Sequence, residues 1–134
     1  MTAEHDWLTD EQKVMVVTFA DAWDWTDYVA TVDAAHETIA SVSHDVNLIM
    51  HFKTEIPKGN PLPHLKRSGA TQPKNTRHTA FVTTGTRFVK VMTEIVVNNK
   101  NWVGPKYVRT IEDALAHFEA LAQEEQDTPS SSSE

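Results

Sequence analysis

Three runs of β-branched and apolar residues, each followed by a stretch with helical spacing, constrain the fold of this chain most. The runs are Val14–Phe19, Val46–Phe52 and residues 79–82. Continuous apolar runs of this length are typical of strands buried on both faces of a sheet, as in parallel sheets covered by helices. The alternation therefore predicts an α/β fold with a mixed, mostly parallel sheet.

The remaining elements complete this pattern. Residues 5–8 form a short candidate strand, and the polar turn at 9–13 joins it to the first apolar run, which predicts an N-terminal β-hairpin. About four helices are predicted, over residues 25–42, 64–71, 87–98 and 110–122, with a last short strand at 106–110. Asp24 with Asp27, and Thr110 with Asp113, have the spacing of helix-capping pairs.

The length and composition indicate one domain, over residues 1–122. Residues 123–134 are acidic and Ser-rich without a hydrophobic anchor, which predicts a disordered tail. The chain has no cysteine, so disulfides, thiolate metal sites and cysteine nucleophiles are excluded. No apolar run approaches the roughly 20 residues that span a bilayer, and the N-terminus is acidic. We expect a soluble, cytoplasmic protein without a membrane span.

The charges are strongly segregated along the chain. Residues 1–45 carry ten acids and one base, residues 46–110 carry eleven bases and two acids, and residues 111–134 carry seven acids and no base. The basic middle is either a surface for anions or nucleic acid, or the counterpart of acidic faces within the fold or between subunits. The second interpretation is favoured, and nucleic acid is not expected as a partner, because the bases lack interleaved aromatic residues.

A polar turn between the strand at 79–82 and the following helix is the first candidate site. A helix N-terminus with hydroxyls and an Arg can hold a phosphate or carboxylate. The turn lacks the second glycine and the Gly-Lys-Thr/Ser ending of phosphate loops, so an ordinary strand-to-helix connection is the alternative. Two further bases are expected at the ends of neighbouring strands. The predicted ligand or anion site consists of Lys53, Thr84, Gly85, Thr86, Arg87 and Arg109.

Aromatic and histidine residues give two weaker candidates. Trp23 and Trp25 could line an apolar pocket at the end of the first parallel strand, although aromatics at helical spacing are more often core residues. His51 lies near a strand end and could reach the same edge as Lys53. The seven histidines show no metal-binding spacing, so neither a metal site nor a cofactor is predicted. No serine, histidine and acid arrangement suggests catalysis.

The order of elements resembles the STAS-like fold of anti-sigma-factor antagonists and of the soluble ends of sulfate transporters. The resemblance covers roughly residues 14–121 and is carried by the strand-to-helix passage at 79–97 and by the short strand and capped helix at 107–115. The turn Trp23-Asp24-Trp25 is similar to that of small stand-alone bacterial proteins with this fold. The resemblance implies a single α/β domain of STAS-like type.

The chain departs from that family where its regulatory serine stands. The corresponding loop, at residues 57–62, contains no hydroxyl, and Ser68 lies within the following helix, so a phosphoserine switch is not expected. The resemblance and the segregated charges together suggest a non-enzymatic binding or regulatory module that acts by protein–protein interaction, and the oppositely charged faces suggest self-association into a homodimer. The alternative is a domain that binds a small anionic or amphiphilic ligand at the carboxyl edge of the sheet.

Overall fold

A computed structural model describes residues 3–20, 22–54, 57, 61–83, 90 and 106–127. These residues form one small α/β domain, as predicted. The elements in chain order are β1 (Ala3–Trp7), β2 (Val14–Phe19), α1 (Trp25–Ala40), β3 (Val46–Phe52), α2 (Leu62–Thr71), β4 (Thr76–Thr83), β5 (Lys106–Val108) and α3 (Ile111–Asp127).

The five strands lie in the sheet in the order in which they occur in the chain, β1-β2-β3-β4-β5. β1 pairs with β2 in antiparallel fashion, and every other neighbouring pair is parallel. The predicted mixed, mostly parallel sheet with an N-terminal hairpin is therefore confirmed. Since parallel strands share one direction, β2 to β5 all end at the same edge, which we call the carboxyl edge.

Local sequence explains where α1 begins. The Asp24 carboxylate accepts a hydrogen bond from the backbone N–H of Asp27, and the Asp27 carboxylate accepts one from the backbone N–H of Asp24, at 2.8 and 3.0 Å. This reciprocal capping box pairs two N–H groups that the first turn of a helix leaves unpaired. The capping pair predicted at Asp24 and Asp27 is confirmed.

The sheet has an apolar core on each face. One face carries α1 and α2 and contains the larger cluster, which includes Phe19, Tyr28, Leu48 and Phe81. The other face carries α3, whose Ala114 and Phe118 pack with residues of β2, β3 and β4. This two-sided burial explains why the β2 and β3 sequences are nearly continuous apolar runs.

The C-terminal helix is longer than predicted. Disorder was expected from residue 123 onward, but α3 continues to Asp127, so that boundary is wrong. The end of the helix contacts a distant strand, because Arg77 of β4 forms an ion pair with Glu125 and His78 Nε2 lies 3.5 Å from the same carboxylate. Apart from Lys90, which is helical, the helix predicted over 87–98 lies outside the described residues, as do residues 128–134.

One amide side chain closes the end of α1. The Asn75 Nδ2 group, just before β4, lies 2.8 Å from the Ile39 carbonyl oxygen, 3.2 Å from that of Val42 and 3.0 Å from that of His44. Ile39 lies in the last turn of α1, where carbonyl groups lack a partner within the helix, and Val42 and His44 lie in the loop that follows, so Asn75 joins both to the start of β4. Within the ranges given above, no helix combines the length and the hydropathy needed to cross a membrane.

Candidate functional site

The carboxyl edge collects most of the described residues that the sequence singles out. Trp23 and Trp25 follow β2, Lys53 follows β3 directly, and Arg109 follows β5 directly. The first turn of α2 also starts at this edge, because α2 connects the parallel strands β3 and β4. In sheets of this kind the carboxyl ends of the strands are the usual place for a ligand.

A row of aromatic rings runs across the sheet just below this edge. The rings of Phe19 and Phe52, on adjacent strands, stack with centroids 4.9 Å apart and an interplanar angle of 9°. Phe81 follows at 5.2 Å from Phe52, and Tyr107 at 5.8 Å from Phe81. These four rings, one from each parallel strand, form an apolar layer below the carboxyl edge, which we call the aromatic floor.

Trp23 belongs to this floor. Its centroid lies 4.7 Å from that of Phe19, and 7% of the residue is exposed. Its indole Nε1 donates a hydrogen bond to Thr54 Oγ1 at 3.2 Å, which ties the segment after β2 to the end of β3. For Trp23 the core interpretation is therefore the correct one of the two that the sequence left open.

Trp25 is placed differently, because it is the first residue of α1 and its side chain contacts α2. Its indole is only partly buried and lies parallel to the imidazole of His64, with centroids 4.8 Å apart and an interplanar angle of 2°. Its Nε1 atom is shielded from solvent and has no hydrogen-bond acceptor among the described residues. A buried donor of this kind rarely stays unpaired, so Trp25 is the better candidate of the two tryptophans for contact with a ligand.

Below Trp25, a buried hydroxyl pair joins the same two helices. Tyr28 Oη lies 2.9 Å from Ser68 Oγ, and Ser68 donates its single hydrogen to the Leu65 carbonyl at 2.9 Å. Tyr28 must therefore donate to Ser68, because a hydroxyl has one hydrogen. Burial raises the pKa of Tyr28 to about 12, and the hydrogen bond between Tyr28 and Ser68 opposes this rise only in part. Tyr28 is thus a neutral structural donor.

The predicted anion site is supported only in part. Thr84, Gly85, Thr86 and Arg87 lie outside the described residues. Lys53 and Arg109 are exposed at the carboxyl edge, but β4 lies between β3 and β5. The two bases therefore follow the two strands that flank β4, as expected, and two strand spacings, about 10 Å, separate those strands. Anion binding by this set stays a prediction.

His51 does not point toward the aromatic floor. Side chains alternate along β3, so His51 faces the α3 side of the sheet, whereas its neighbours Met50 and Phe52 belong to the cluster under α1 and α2. Partial burial, and then the nearby Lys53 charge, lower the pKa of His51. The residue is therefore a neutral strand residue at physiological pH.

The segregated charges meet within the fold. Asp33 of α1 pairs with Arg67 of α2 at 2.8 Å, and Arg77 of β4 pairs with Asp45 at 3.0 Å and also with Glu125 of α3. Each pair joins the basic middle of the chain to one of its acidic ends. This confirms the favoured interpretation of the charge pattern for three contacts.

A buried histidine completes the contact between α1 and α2. His36 is 6% exposed, and its Nδ1 lies 3.5 Å from the Thr71 hydroxyl at the end of α2. Burial lowers the pKa of His36, although the Asp33 charge opposes this shift.

No group of three or more histidine or carboxylate side chains suited to a metal ion occurs among the residues that the structure describes.

Sequence patterns missed the residues that hold α2. His64, Ser68 and Thr71 meet Trp25, Tyr28 and His36 in the same order along the two helices, which therefore run in parallel. The spacing of these three residues indicates that they lie together, because positions 64, 68 and 71 share one face of a helix. The partner face on α1 cannot be identified from spacing alone.

Comparison of the chain with family models, with curated proteins and with solved structures gives no match in any of the three.

Proposed function

We propose that this chain is a non-catalytic binding or regulatory module of STAS-like type that engages a protein partner through α2. The proposal concerns the exposed residues Pro63, Lys66, Gly69 and Ala70, which we call the α2 outer face. The inner side of the same helix is occupied by α1, through Leu65, Ser68 and the other contacts described above. The outer face is thus held in a fixed position.

A single glycine carries this proposal. Gly69 lies in the last turn of α2, and a Cβ atom built on it would have no atom of the described residues within 4 Å. Glycine within a helix costs about 1 kcal/mol relative to alanine. No packing within the described residues requires glycine at position 69. Close approach of a partner's surface to the backbone of α2 would explain why glycine stands there.

The charge of α2 indicates the kind of partner surface. Residues 62–74 contain Lys66, Arg67 and Lys74 and no acid. Asp33 partly neutralises Arg67, whereas Lys66 and Lys74 are exposed without an ion pair among the described residues. An acidic patch on the partner would complement this helix and increase the rate of association.

Affinity capture from a lysate of the source cells tests the proposal. The Gly69→Gln variant places a side chain where the partner backbone would lie, and we expect it to lose the captured partner. The Ala116→Gln variant makes a comparable exposed change on α3 and should retain it. Capture that is equal for both variants would refute the role of the α2 outer face. The Gly69→Ala variant should be more stable by about 1 kcal/mol when free.

The buried N–H group of Trp25 supports a second candidate, a small anionic or amphiphilic ligand at the carboxyl edge. The indole would donate to the ligand, the apolar part would contact the aromatic floor, and Lys53 would attract the charge. Thermal-shift assays with inorganic phosphate, nucleotides and fatty acids test this idea. A ligand at one hundred times its dissociation constant stabilises the fold by about 2.7 kcal/mol. This stabilisation should weaken in Trp25→Phe and in Lys53→Gln, and no stabilisation by any of these compounds would rule the candidate out.

A further inference from the structure

The outer side of β1 is a sheet edge that carries no further strand within the described part of the chain. The backbone N–H of Leu8 donates to the Val14 carbonyl at 2.9 Å, so this pair is hydrogen-bonded within the hairpin. In an antiparallel ladder the alternate residues point their backbone groups the other way. The backbone groups of Ala3, His5 and Trp7 therefore face outward, where they can pair with an added strand.

This edge is strongly acidic. Glu4 and Asp6 are exposed and share one face of β1, and the adjoining turn adds Asp10 and Glu11. The only base of the hairpin, Lys13, lies 4.0 Å from Glu11. The Asp6 carboxylate also accepts the outward backbone N–H of Trp7 at 2.8 Å. The backbone N–H of Trp7 is thus already paired with the Asp6 side chain, while the backbone groups of Ala3 and His5 stay available.

The same carboxylates disfavour a second copy of this chain as the added strand. If two β1 strands paired in antiparallel fashion with the two His5 residues opposite each other, Glu4 of each copy would lie opposite Asp6 of the other. Like charges directly opposite each other destabilise a strand pair, whereas opposite charges stabilise it. The charges therefore disfavour pairing of β1 with the β1 strand of a second copy and favour a strand with basic residues at alternate positions.

A surface depression beside the edge fits a long basic side chain. It has a volume of about 300 Å³ at the end of β1 and is lined by Asp6, Trp7, Leu8, Thr9, Asp10 and Gln12. Leu8 lies on the same face as Glu4 and Asp6 and offers apolar surface for the methylene groups of lysine or arginine, and Asp6 and Asp10 offer counter-charges for the head group. The combination of aliphatic and acidic groups is more specific than acidic charge alone.

We propose that the β1 edge binds an extended basic segment of a partner protein, which adds to the sheet as a further strand beside β1. Lysine or arginine at alternate positions of the segment pairs with Glu4 and Asp6, and one such side chain enters the depression beside Asp6 and Leu8. The intervening residues are apolar, because the positions opposite Ala3, His5 and Trp7 lie on the α1 side of the sheet. This surface is separate from the α2 outer face and from the carboxyl edge.

The test uses a capped synthetic peptide of alternating lysine and valine, with binding followed by amide NMR shifts of the full chain. We expect the largest shifts at Ala3, His5 and Trp7. Affinity should fall by about tenfold or more in the Glu4→Lys/Asp6→Lys variant, equivalent to about 1.4 kcal/mol. The Glu112→Lys/Glu119→Lys variant changes the net charge equally on exposed α3 positions and should bind as the wild type does. The same spectra show whether each variant is folded.

A second peptide separates strand addition from charge attraction. N-methylation of its valines keeps every charge but removes backbone donors and blocks pairing, so its binding should be lost. Equal binding of the methylated peptide, unchanged affinity in the Glu4→Lys/Asp6→Lys variant, or dimerisation of the wild-type chain through β1 would overturn the proposal. The Lys66→Glu variant on α2 should leave peptide binding intact, so failure of one surface is distinguishable from failure of the other.

Discussion

The Arg67 guanidinium forms two hydrogen bonds with the Asp33 carboxylate, at 2.8 and 3.0 Å, and so joins α2 to α1. Both side chains are more than 40% exposed, at 45% and 41%. Exposed ion pairs contribute little to stability, even with good geometry. The apolar and buried contacts of α2 must therefore provide most of its attachment.

Two substitutions at this helix pair should differ sharply in their effect on the free energy of unfolding. Leu65 is 5% exposed, and the Leu65→Ala variant should lose about 2–5 kcal/mol. Asp33→Asn should cost much less, and its cost should shrink further as salt is added. Urea denaturation at low and high salt measures both changes. An Asp33→Asn loss as large as that of Leu65→Ala would contradict this account of α2.

The same ion pair should make stability depend on pH in acid. The hydrogen bond from Arg67 lowers the pKa of Asp33 in the folded chain. A carboxyl group with a lowered pKa stabilises the fold above its ordinary pKa, and that stabilisation is lost as the pH falls through the lowered value. The difference in unfolding free energy between wild type and Asp33→Asn should therefore disappear in strong acid, as measured by denaturation across that range.

Both tyrosines of the chain should resist ionisation while the protein is folded. Burial raises the pKa of Tyr28 and of Tyr107 to about 12. The unfolded chain ionises its tyrosines near pH 10, so the folded state binds more protons between these values and loses stability as the pH rises. Tyrosinate absorbance should stay low at pH 10 in the folded protein and appear there in urea. Ionisation near pH 10 in the folded protein would show that the two hydroxyls are accessible.

Loss of Arg77 should release the last turns of α3. Those turns contain Glu124 and Glu125, whose negative charge is unfavourable at a helix C-terminus, and Arg77 compensates for it. In Arg77→Ala we expect faster amide exchange near Glu125 with little change at Ala114, which is fully buried. Lys74→Ala removes a nearby exposed base without an ion pair among the described residues and serves as the control.

Those turns should also be released by acid in the wild-type chain. The hydrogen bond from Arg77 lowers the pKa of Glu125, so the link persists above the ordinary glutamate pKa and is lost as the pH falls through the lowered value. Amide exchange near Glu125 should then approach that of the Arg77→Ala variant. Exchange that is unaffected by both treatments would show that other contacts hold the helix end.

Local features of the fold could be predicted from sequence because their partners lie close in the chain. The Asp24 and Asp27 capping pair is an example, since it depends on a spacing of three residues. The end of α3 could not be predicted, because Arg77 and Glu125 are separated by 48 positions. Their contact depends on α3 crossing the sheet toward the start of β4, which no local pattern encodes.

The candidate site shows the same division. The sequence predicted the strands that precede Trp23, Lys53 and Arg109, and the shared strand direction placed all three residues at one edge. Which strands are neighbours depends on the order of pairing across the whole sheet. The separation of Lys53 from Arg109 and the stacking of Trp25 on His64 both follow from that order and from helix placement, so they required the structure.

The consecutive order of the strands bears on how the chain is made. Each of the described strands after β1 pairs with the described strand synthesised before it, so among these strands none is inserted between two earlier ones. Proteins whose contacts are close in sequence fold quickly, and the ribosome synthesises the chain from its N-terminus. We therefore expect the hairpin, α1 and β3 to assemble on the ribosome before β5 emerges, with α3 closing the second face last.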